Sequence, residues 1–424
     1  MAQATAGIRD HAGWQIAAAA FCGQTLASLG FLSVPLFAPS LAALNGLDER
    51  DFGFSGSFCF LAVALASPAA GHLVRRCGAV PMMTGALVMM ATSFLLILFG
   101  TWTATMAASF GFGLAYGVYG AGTATVVATR TPLARRGLYM AVRQSGVSFA
   151  GVLAGRILPP LILATAWWVG VISVSAFMLA AAVLTLMFAS LFTIPAGQTG
   201  AAPPEPSARR NLVARFVDGY RLPMPLQAFA FTAVGFAIAH IGLSSFAYFY
   251  LLERLGYGEV AAGAFLANVL LAAAIGRPLV GWIVDMTGSP LIVLAGIALL
   301  GAASFVALLA LSADTAPWVV VLVSIVAGVS ANTWSPVFMT AIANAAPEGR
   351  VGDYNGRGFS YAALGWTVAA PVVWSLIELS GGYRLPFTLL LITELAIAAF
   401  LIALAPRLEQ RRATDRPPDA DPSL

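Results

Sequence analysis

Residues 67–78, SPAAGHLVRRCG, and residues 277–288, RPLVGWIVDMTG, are two copies of one short motif. At a constant offset of 210 residues, the two copies share a proline, two glycines and a valine. The matched pairs are Pro68 with Pro278, Gly71 with Gly281, Val74 with Val284, and Gly78 with Gly288. Each copy closes a long apolar segment. A motif that recurs in this way indicates a chain built from two related halves.

A second pair of stretches repeats in the same order. PLARRGLYMAVRQS, from Pro132, matches PEGRVGDYNGRGFS, from Pro347, at an offset of 215 residues. The shared positions are Pro132 and Pro347, Arg135 and Arg350, Gly137 and Gly352, Tyr139 and Tyr354, and Ser145 and Ser360. Two matches in one order favour duplication. Because both halves are predicted to begin on the same side of a membrane, the repeat is parallel and its axis lies along the membrane normal.

The composition predicts a membrane protein. Of 424 residues, 59% are hydrophobic and only 9% are charged, whereas soluble domains carry about 25% charged residues. The apolar residues form blocks of the roughly 20 residues that cross a bilayer as a helix. We predict twelve spans, near 13–38, 52–72, 79–100, 103–129, 137–162, 165–193, 225–251, 259–284, 289–311, 316–343, 355–378 and 384–405.

The predicted fold is therefore an all-α membrane protein with twelve transmembrane helices in two pseudo-symmetric bundles of six. Residues 1–193 form the N-terminal bundle and 225–406 the C-terminal bundle. Between them, 194–224 form a cytoplasmic linker whose second part suits a short surface helix. Residues 407–424 are expected to be a disordered cytoplasmic tail.

Arginine is unevenly distributed over the connections, and this predicts the orientation. One set of connections is rich in arginine, and the other is short and carries acidic residues beside its few arginines. The rich set contains Arg75, Arg76, Arg130, Arg135, Arg136, Arg209, Arg210, Arg215, Arg221, Arg350, Arg357 and the arginines of the tail. Arginine-rich connections are normally cytoplasmic, so both termini are expected inside. The net charge of +4 is a signal of topology here and does not indicate nucleic acid.

The turn motif resembles that of the major facilitator superfamily, whose pattern between spans 2 and 3 is G-x-L-x-D-R-x-G. This chain has Gly71, Leu73, Arg76 and Gly78, but Arg75 stands where the acid is expected. The second copy keeps the acid as Asp285. The resemblance covers nearly the whole chain and implies secondary transport by alternating access. It implies conformational or gating roles for Gly71, Arg76, Gly78, Gly281, Asp285 and Gly288.

Three stretches are similar to the branch of monocarboxylate and oxalate–formate transporters and their bacterial relatives. They are GWQIAAAAFCGQTLASLGFLSVPLFAPSL in span 1, RRGLYMAVRQSGVSFAGVLAGRILPPL through span 5, and Gly276-Arg277-Pro278 in span 8. This similarity implies a carboxylate-binding arginine at Arg277 and a bacterial cytoplasmic (inner) membrane. The chain departs from the animal carriers of this branch, because Ala273 replaces their aspartate and no lysine is present.

Ionisable groups at membrane depth are costly and are candidates for function. Arg277 could clamp a carboxylate through two parallel hydrogen bonds, or could pair with Asp285 as a structural residue. Arg143, about two turns inside span 5, could act at a gate, in helix packing or at the cavity mouth. Arg156 could be a second anion contact, or could extend to the outer headgroups.

Two other ionisable residues lie near the middle of spans. His240, in span 7, could bind solute, relay a proton or pack as a hydrogen-bonded neutral residue. Glu394, in span 12, could serve as a proton or second ion site, or could be a protonated or locally paired structural residue. Polar and aromatic residues of spans 1, 4, 8 and 10 complete the predicted solute site. They are Gln24, Tyr116, Tyr119, Asn268, Asn332 and Trp334.

The sequence contains no metal-binding, nucleotide-binding or nucleophile motif, so we expect no cofactor and no enzymatic activity. The glycines from Gly111 to Gly122 lie within an apolar span, where they favour close helix contact. We predict a monomeric secondary transporter of a small organic anion such as a monocarboxylate. Its predicted partners are the solute, the lipid bilayer and coupled protons. The alternatives are efflux or uptake of a neutral or amphipathic compound, and a non-transporting membrane receptor.

Overall fold

The structure is a computed structural model that describes residues 2–47, 52, 54–194 and 220–414. The surface helix predicted in the linker and the last ten residues of the tail lie outside the described residues. Within the described part of the chain the regular structure is entirely helical.

The helices of the first half come in the predicted order. They are α1 (Ala2–Asn45), α2 (Phe54–Ala66), α3 (Ala70–Cys77), α4 (Ala79–Phe94), α5 (Trp102–Arg130), α6 (Arg136–Ala164), α7 (Trp167–Met187) and α8 (Ala189–Phe192). A short 3-10 turn joins α2 to α3, and another extends α4. Phe54–Cys77 and Ala79–Phe99 are therefore two continuous helical segments.

The second half repeats this arrangement. Its helices are α9 (Leu226–Ile241), α10 (Ala247–Glu253), α11 (Glu259–Thr287), α12 (Pro290–Ala310), α13 (Pro317–Ala345), α14 (Val351–Ser380) and α15 (Arg384–Thr414). A single π-helical turn, Gly242–Phe246, joins α9 to α10. The last helix continues past the predicted boundary at 406, because Arg, Leu, Glu and Gln at 407–412 are good helix formers.

Eleven helical segments of the described chain are long and apolar enough to cross a membrane. The helix α5, with 29 residues, is not among them. Its Gly, Tyr and Thr residues keep every 18-residue stretch of it below the mean hydropathy that the eleven segments reach. The structure therefore confirms a polytopic helical membrane protein, while the twelfth span stays a prediction.

The two copies of the turn motif end in the same way. Gly78 closes α3 with a φ of 85°, and Gly288 closes α11 with a φ of 65°. Residues with a side chain rarely adopt such positive angles, so glycine is required for both turns. The equivalent positions of the repeat thus have equivalent backbone roles.

The halves meet closely at the end of the bundle that carries Arg75, Arg136, Arg350 and Arg357, here called the arginine-rich end. On one side, α3 touches α14, and a Cβ added at Gly352 would lie 3.0 Å from Gly71 Cα. On the other side, α11 touches α6, and a Cβ added at Gly281 would lie 2.6 Å from Gly137 O. Backbones approach this closely only through glycine. These two contacts, called the glycine seal below, close the arginine-rich end.

Candidate functional site

Arg277 lies between the two halves, in the interior of α11, and is 4% exposed. Its Nε donates a hydrogen bond to the carbonyl of Asn332 on α13 at 3.0 Å. Its Nη1 donates to two atoms of α6, the carbonyl of Gln144 at 3.0 Å and Ser148 Oγ at 2.6 Å. The guanidinium therefore links α11 to the other half, and Nη2 has no hydrogen-bond partner among the described residues.

Arg143, on α6, is a second deeply buried guanidinium and is 3% exposed. Its Nη1 donates to Gln24 Oε1 at 3.0 Å and to Thr123 Oγ1 at 2.9 Å. Its Nη2 donates to Gln144 Oε1 at 2.9 Å. Gln144 thus contacts both arginines, one through its side chain and the other through its carbonyl. The structure places Arg143 inside the N-terminal half, deeper than the cavity mouth considered from the sequence.

Gln24 connects Arg143 to α5. Its Nε2 donates to Tyr116 Oη at 2.8 Å and to Ser28 Oγ at 3.1 Å. Tyr119, one turn further along α5, packs against Gly23, where an added Cβ would lie 2.5 Å from Tyr119 Oη. The structure therefore brings Gln24, Tyr116 and Tyr119 together beside Arg143, as the predicted solute site requires.

Replacing Gln24 with leucine is expected to lower the free energy of unfolding by about 1–3 kcal/mol, because a buried charged donor loses an acceptor. The readout is thermal unfolding in detergent. Gln15→Leu is the matched control, since Gln15 lies exposed on the same helix. Equal unfolding temperatures for both variants would contradict the role assigned to Gln24.

The two buried arginines have no acidic partner among the described residues. Within the described residues, the hydrogen bonds of Arg143 and Arg277 go only to carbonyl, amide and hydroxyl oxygens. Arg143 Nε, Asn332 Nδ2 and Trp334 Nε1 are buried and have no acceptor in this part of the chain. A buried cation without a counter-ion is costly. The centre of the molecule therefore has an excess of positive charge and of hydrogen-bond donors.

His240 and Trp334 line the same region from the C-terminal half. Trp334 lies two residues after Asn332, whose carbonyl accepts the hydrogen bond from Arg277 Nε. His240 is partly exposed as a residue, and its ring lies edge-on to Trp366, with 6.2 Å between ring centroids. Trp334 is 1% exposed and stacks on Phe236 at 5.3 Å.

Three predicted site residues are not brought to this centre. Asn268 lies nine residues before Arg277, about two and a half helical turns, and shares a face with the exposed Leu271 and Ile275. Arg156 is exposed on α6. Glu394 is 3% exposed between α15 and α12, where a Cβ added at Gly301 would lie 3.1 Å from its Cδ.

Of the predicted gating residues, Gly71, Gly281 and Asp285 lie at the glycine seal. Gly78 and Gly288 end α3 and α11 at the same end of the bundle, and Arg76 is exposed there. Asp285 accepts hydrogen bonds from the backbone N–H of Gly137 at 2.7 Å and of Leu138 at 2.8 Å. It thus caps the first turn of α6, where the helix dipole favours a negative charge. Since its carboxylate is engaged in this cap, the alternative pairing of Arg277 with Asp285 is not what the structure shows.

The other side of the glycine seal, between α3 and α14, has a positive charge at the motif position and an acid opposite it. Arg75 occupies the motif position of Asp285, and its Nη1 lies 2.7 Å from Asp353 Oδ1. Asp353 occupies the position of Leu138 in the other repeat and stands in the first turn of α14. Sequence reasoning missed this pair. The signal was present, because the offsets of 210 and 215 residues place Arg75 opposite Asp353.

The end of the linker also joins the halves at this end of the bundle. Tyr220 Oη donates to the carbonyl of Ala64 at 2.9 Å, and Tyr361 Oη donates to the carbonyl of Tyr220 at 3.2 Å. Burial, with a smaller effect of Tyr361, raises the pKa of Tyr220 to about 12. The phenol therefore stays protonated at neutral pH and keeps its donor role.

Two duplicated helical halves, closed at one end around a buried cationic centre, define a polytopic membrane transport protein. The family model of the Major Facilitator Superfamily matches residues 20–370, and the chain belongs to this superfamily. The family is one of transporters, which favours the predicted transporter over a receptor or an enzyme. No functionally curated protein matches the sequence.

Solved structures share this fold. The human organic anion transporter MFSD10 (TETRAN) superposes with a TM-score of 0.72 at 17% identity, over 92% of this chain and 99% of that one. The E. coli fucose:proton symporter FucP gives a TM-score of 0.66 at 16% identity, over 91% and 98% of the two chains. A structure of FucP in the outward conformation gives 0.63 at 16% identity, over 89% and 98%. At such identities the likeness concerns the fold, and the monocarboxylate branch stays a prediction.

Proposed function

We propose that the protein is a secondary transporter of a small organic anion, which binds between the two halves at Arg277. The observation that carries this proposal is the pair of buried guanidinium groups, Arg143 and Arg277, without a carboxylate partner among the described residues. Removing two cations from water is unfavourable unless an anion compensates them. A bound carboxylate supplies this charge.

The donor pattern supports the same ligand class. A carboxylate accepts hydrogen bonds and donates none when ionised. The unpartnered polar atoms of α6 and α13 next to the arginines are N–H groups, on Arg143, Asn332 and Trp334. An arginine can hold a carboxylate through two parallel hydrogen bonds, and Arg277 has its Nη2 available for one of them. A neutral solute would leave the charge of both arginines uncompensated.

The mechanism we propose is alternating access, with the two six-helix halves rocking about the central site and α5 serving as the fourth of twelve spans. Arginine-rich connections are normally cytoplasmic, so in this proposal the glycine seal closes the cytoplasmic side. Both termini are then inside. A bacterial cytoplasmic membrane, a monomeric state, a monocarboxylate as solute and coupling to protons remain predictions.

Uptake into proteoliposomes tests the proposal. We expect purified protein to take up radiolabelled acetate, lactate or benzoate, and to discriminate against lactamide and benzamide, which match in size but carry no charge. Runs with and without an inward pH gradient show whether protons drive the uptake. Transport of the amides at the rate of the acids would overturn the anion proposal and favour the neutral-solute alternative.

A further inference from the structure

A row of partly exposed rings runs across the interface of the two halves, and sequence reasoning did not identify it. Phe31 contacts Phe60 at 5.6 Å between ring centroids, Phe60 contacts Trp366 at 5.1 Å, and Trp366 contacts His240 at 6.2 Å. These four residues, here called the aromatic wall, are all partly exposed, in contrast to the fully buried Trp334 behind them. Part of each of these four residues is therefore accessible, so the aromatic wall is not fully enclosed in the core.

The aromatic wall extends from one buried arginine to the other. At its first end, Phe31 lies 5.3 Å from the ring of Tyr116, which shares a hydrogen bond with the amide of Gln24 beside Arg143. At its other end, Trp366 contacts Trp334 at 5.7 Å. Trp334 lies two residues after Asn332, whose carbonyl accepts a hydrogen bond from Arg277 Nε at 3.0 Å. A molecule held by Arg277 would have this wall beside it.

Trp366 is the centre of the wall, and the backbone explains its position. A Cβ added at Gly365 would lie 2.6 Å from Ala237 Cβ and 2.8 Å from Val234 O, so α14 and α9 touch at this glycine. This close approach sets Trp366 next to His240, one turn beyond Ala237. Trp366 also contacts Trp334 at 5.7 Å and Phe359 at 6.3 Å. Its ring plane is thus held by neighbours on α9, α13 and α14 and by Phe60 of the other half.

We propose that the organic part of the transported anion is a flat, conjugated ring that stacks on Trp366 while its carboxylate is held by Arg277. This inference rests on the proposed function and narrows it from small organic anions to aromatic ones. Stacked or edge-to-face rings gain attraction beyond the area that they bury. A saturated ring of similar size buries comparable area but lacks this additional attraction, so the wall discriminates by planarity.

The test is equilibrium binding of radiolabelled benzoate and of radiolabelled cyclohexanecarboxylate to the full chain in detergent. We expect benzoate to bind about tenfold more tightly, in line with the attraction between ring pairs. Trp366→Leu should abolish this preference, and Trp366→Phe should retain most of it. Trp374→Leu is the matched control, because Trp374 lies on the same helix and contacts Phe246 and Glu378 instead.

The outcomes separate this inference from the proposed function. Equal affinities of the wild-type protein for the two acids, or an unchanged preference in Trp366→Leu, would overturn the aromatic inference alone, provided that both acids need Arg277. Binding of neither acid, together with binding of benzamide, would overturn the anion proposal itself. Thermal unfolding of each variant in detergent identifies variants that fail to fold. If Trp366→Leu is one of them, the preference of Trp366→Phe for benzoate over cyclohexanecarboxylate decides whether the aromatic inference stands.

Discussion

Arg277→Ala is expected to abolish the uptake of carboxylate and to weaken its binding more than about thirtyfold. Truncating one partner of a buried, hydrogen-bonded charge pair costs about 2–5 kcal/mol, and each 1.4 kcal/mol corresponds to about a factor of ten. The expected loss exceeds that of any variant in the aromatic wall, because charge compensation at the site depends on the guanidinium. Binding of radiolabelled benzoate and its uptake into proteoliposomes measure the effect.

Two further variants make the result specific. Arg277→Lys keeps the charge but not the planar fork of donors, so it should bind more weakly than wild type and more tightly than Arg277→Ala. Arg156→Ala removes an arginine that is exposed on α6, and its uptake should equal that of the wild type. The anion site would have to be placed elsewhere if Arg277→Ala retained wild-type affinity.

Gly71→Leu is expected to open the arginine-rich end and to stop the transport cycle. Any Cβ at Gly71 would overlap the backbone of Asp353 and lie 2.6 Å from the carbonyl carbon of Gly352. Overpacking of this kind costs about 1–3 kcal/mol in cores, which shifts a two-state equilibrium by roughly 5- to 150-fold. The closed conformation, and not the open one, bears this cost.

Labelling with a membrane-impermeant thiol reagent measures that shift. The reporter is Ser335→Cys, at a position that is 6% exposed between the halves, in a chain whose Cys22, Cys59 and Cys77 have been replaced. Reagent added on the side of the arginine-rich end should label the reporter at least about fivefold faster with Gly71→Leu. Gly85→Leu is the matched control, since no atom lies within 4 Å of a Cβ there. Unchanged labelling would refute the glycine seal.

The helical architecture followed from sequence because it depends on local properties. Apolar length predicts spans, and glycines that recur at equal offsets predict equal turns, as Gly78 and Gly288 show. The burial of Arg277 was also predictable, because it lies well inside an apolar segment. The placement of Asn268 away from it could have been derived from the 3.6-residue period, since nine residues make about two and a half turns and put the two residues on opposite faces of the helix.

Other parts of the site depend on contacts between distant helices, which a single sequence does not specify. Nothing local indicates that Gln144 reaches Arg143 with its side chain and Arg277 with its carbonyl. In the sequence, Trp366 is not distinguished from any other tryptophan of an apolar span. It lies beside His240 because Gly365 lets α14 approach α9 closely. The burial of Glu394 between α12 and α15 likewise depends on which helices are neighbours.

The two sides of the arginine-rich end are held by different interactions, so they should respond differently to ionic strength. Asp285 is held by two backbone N–H groups at the start of a helix, whereas Arg75 and Asp353 form an ion pair in which the arginine side chain is 22% exposed. Salt weakens a partly exposed ion pair to some extent, although the screening length is about 10 Å at 0.1 M, and it affects short backbone hydrogen bonds less. Salt on that face of the membrane would therefore loosen the contact of α3 with α14 before the contact of α11 with α6, so the two halves would separate on one side first.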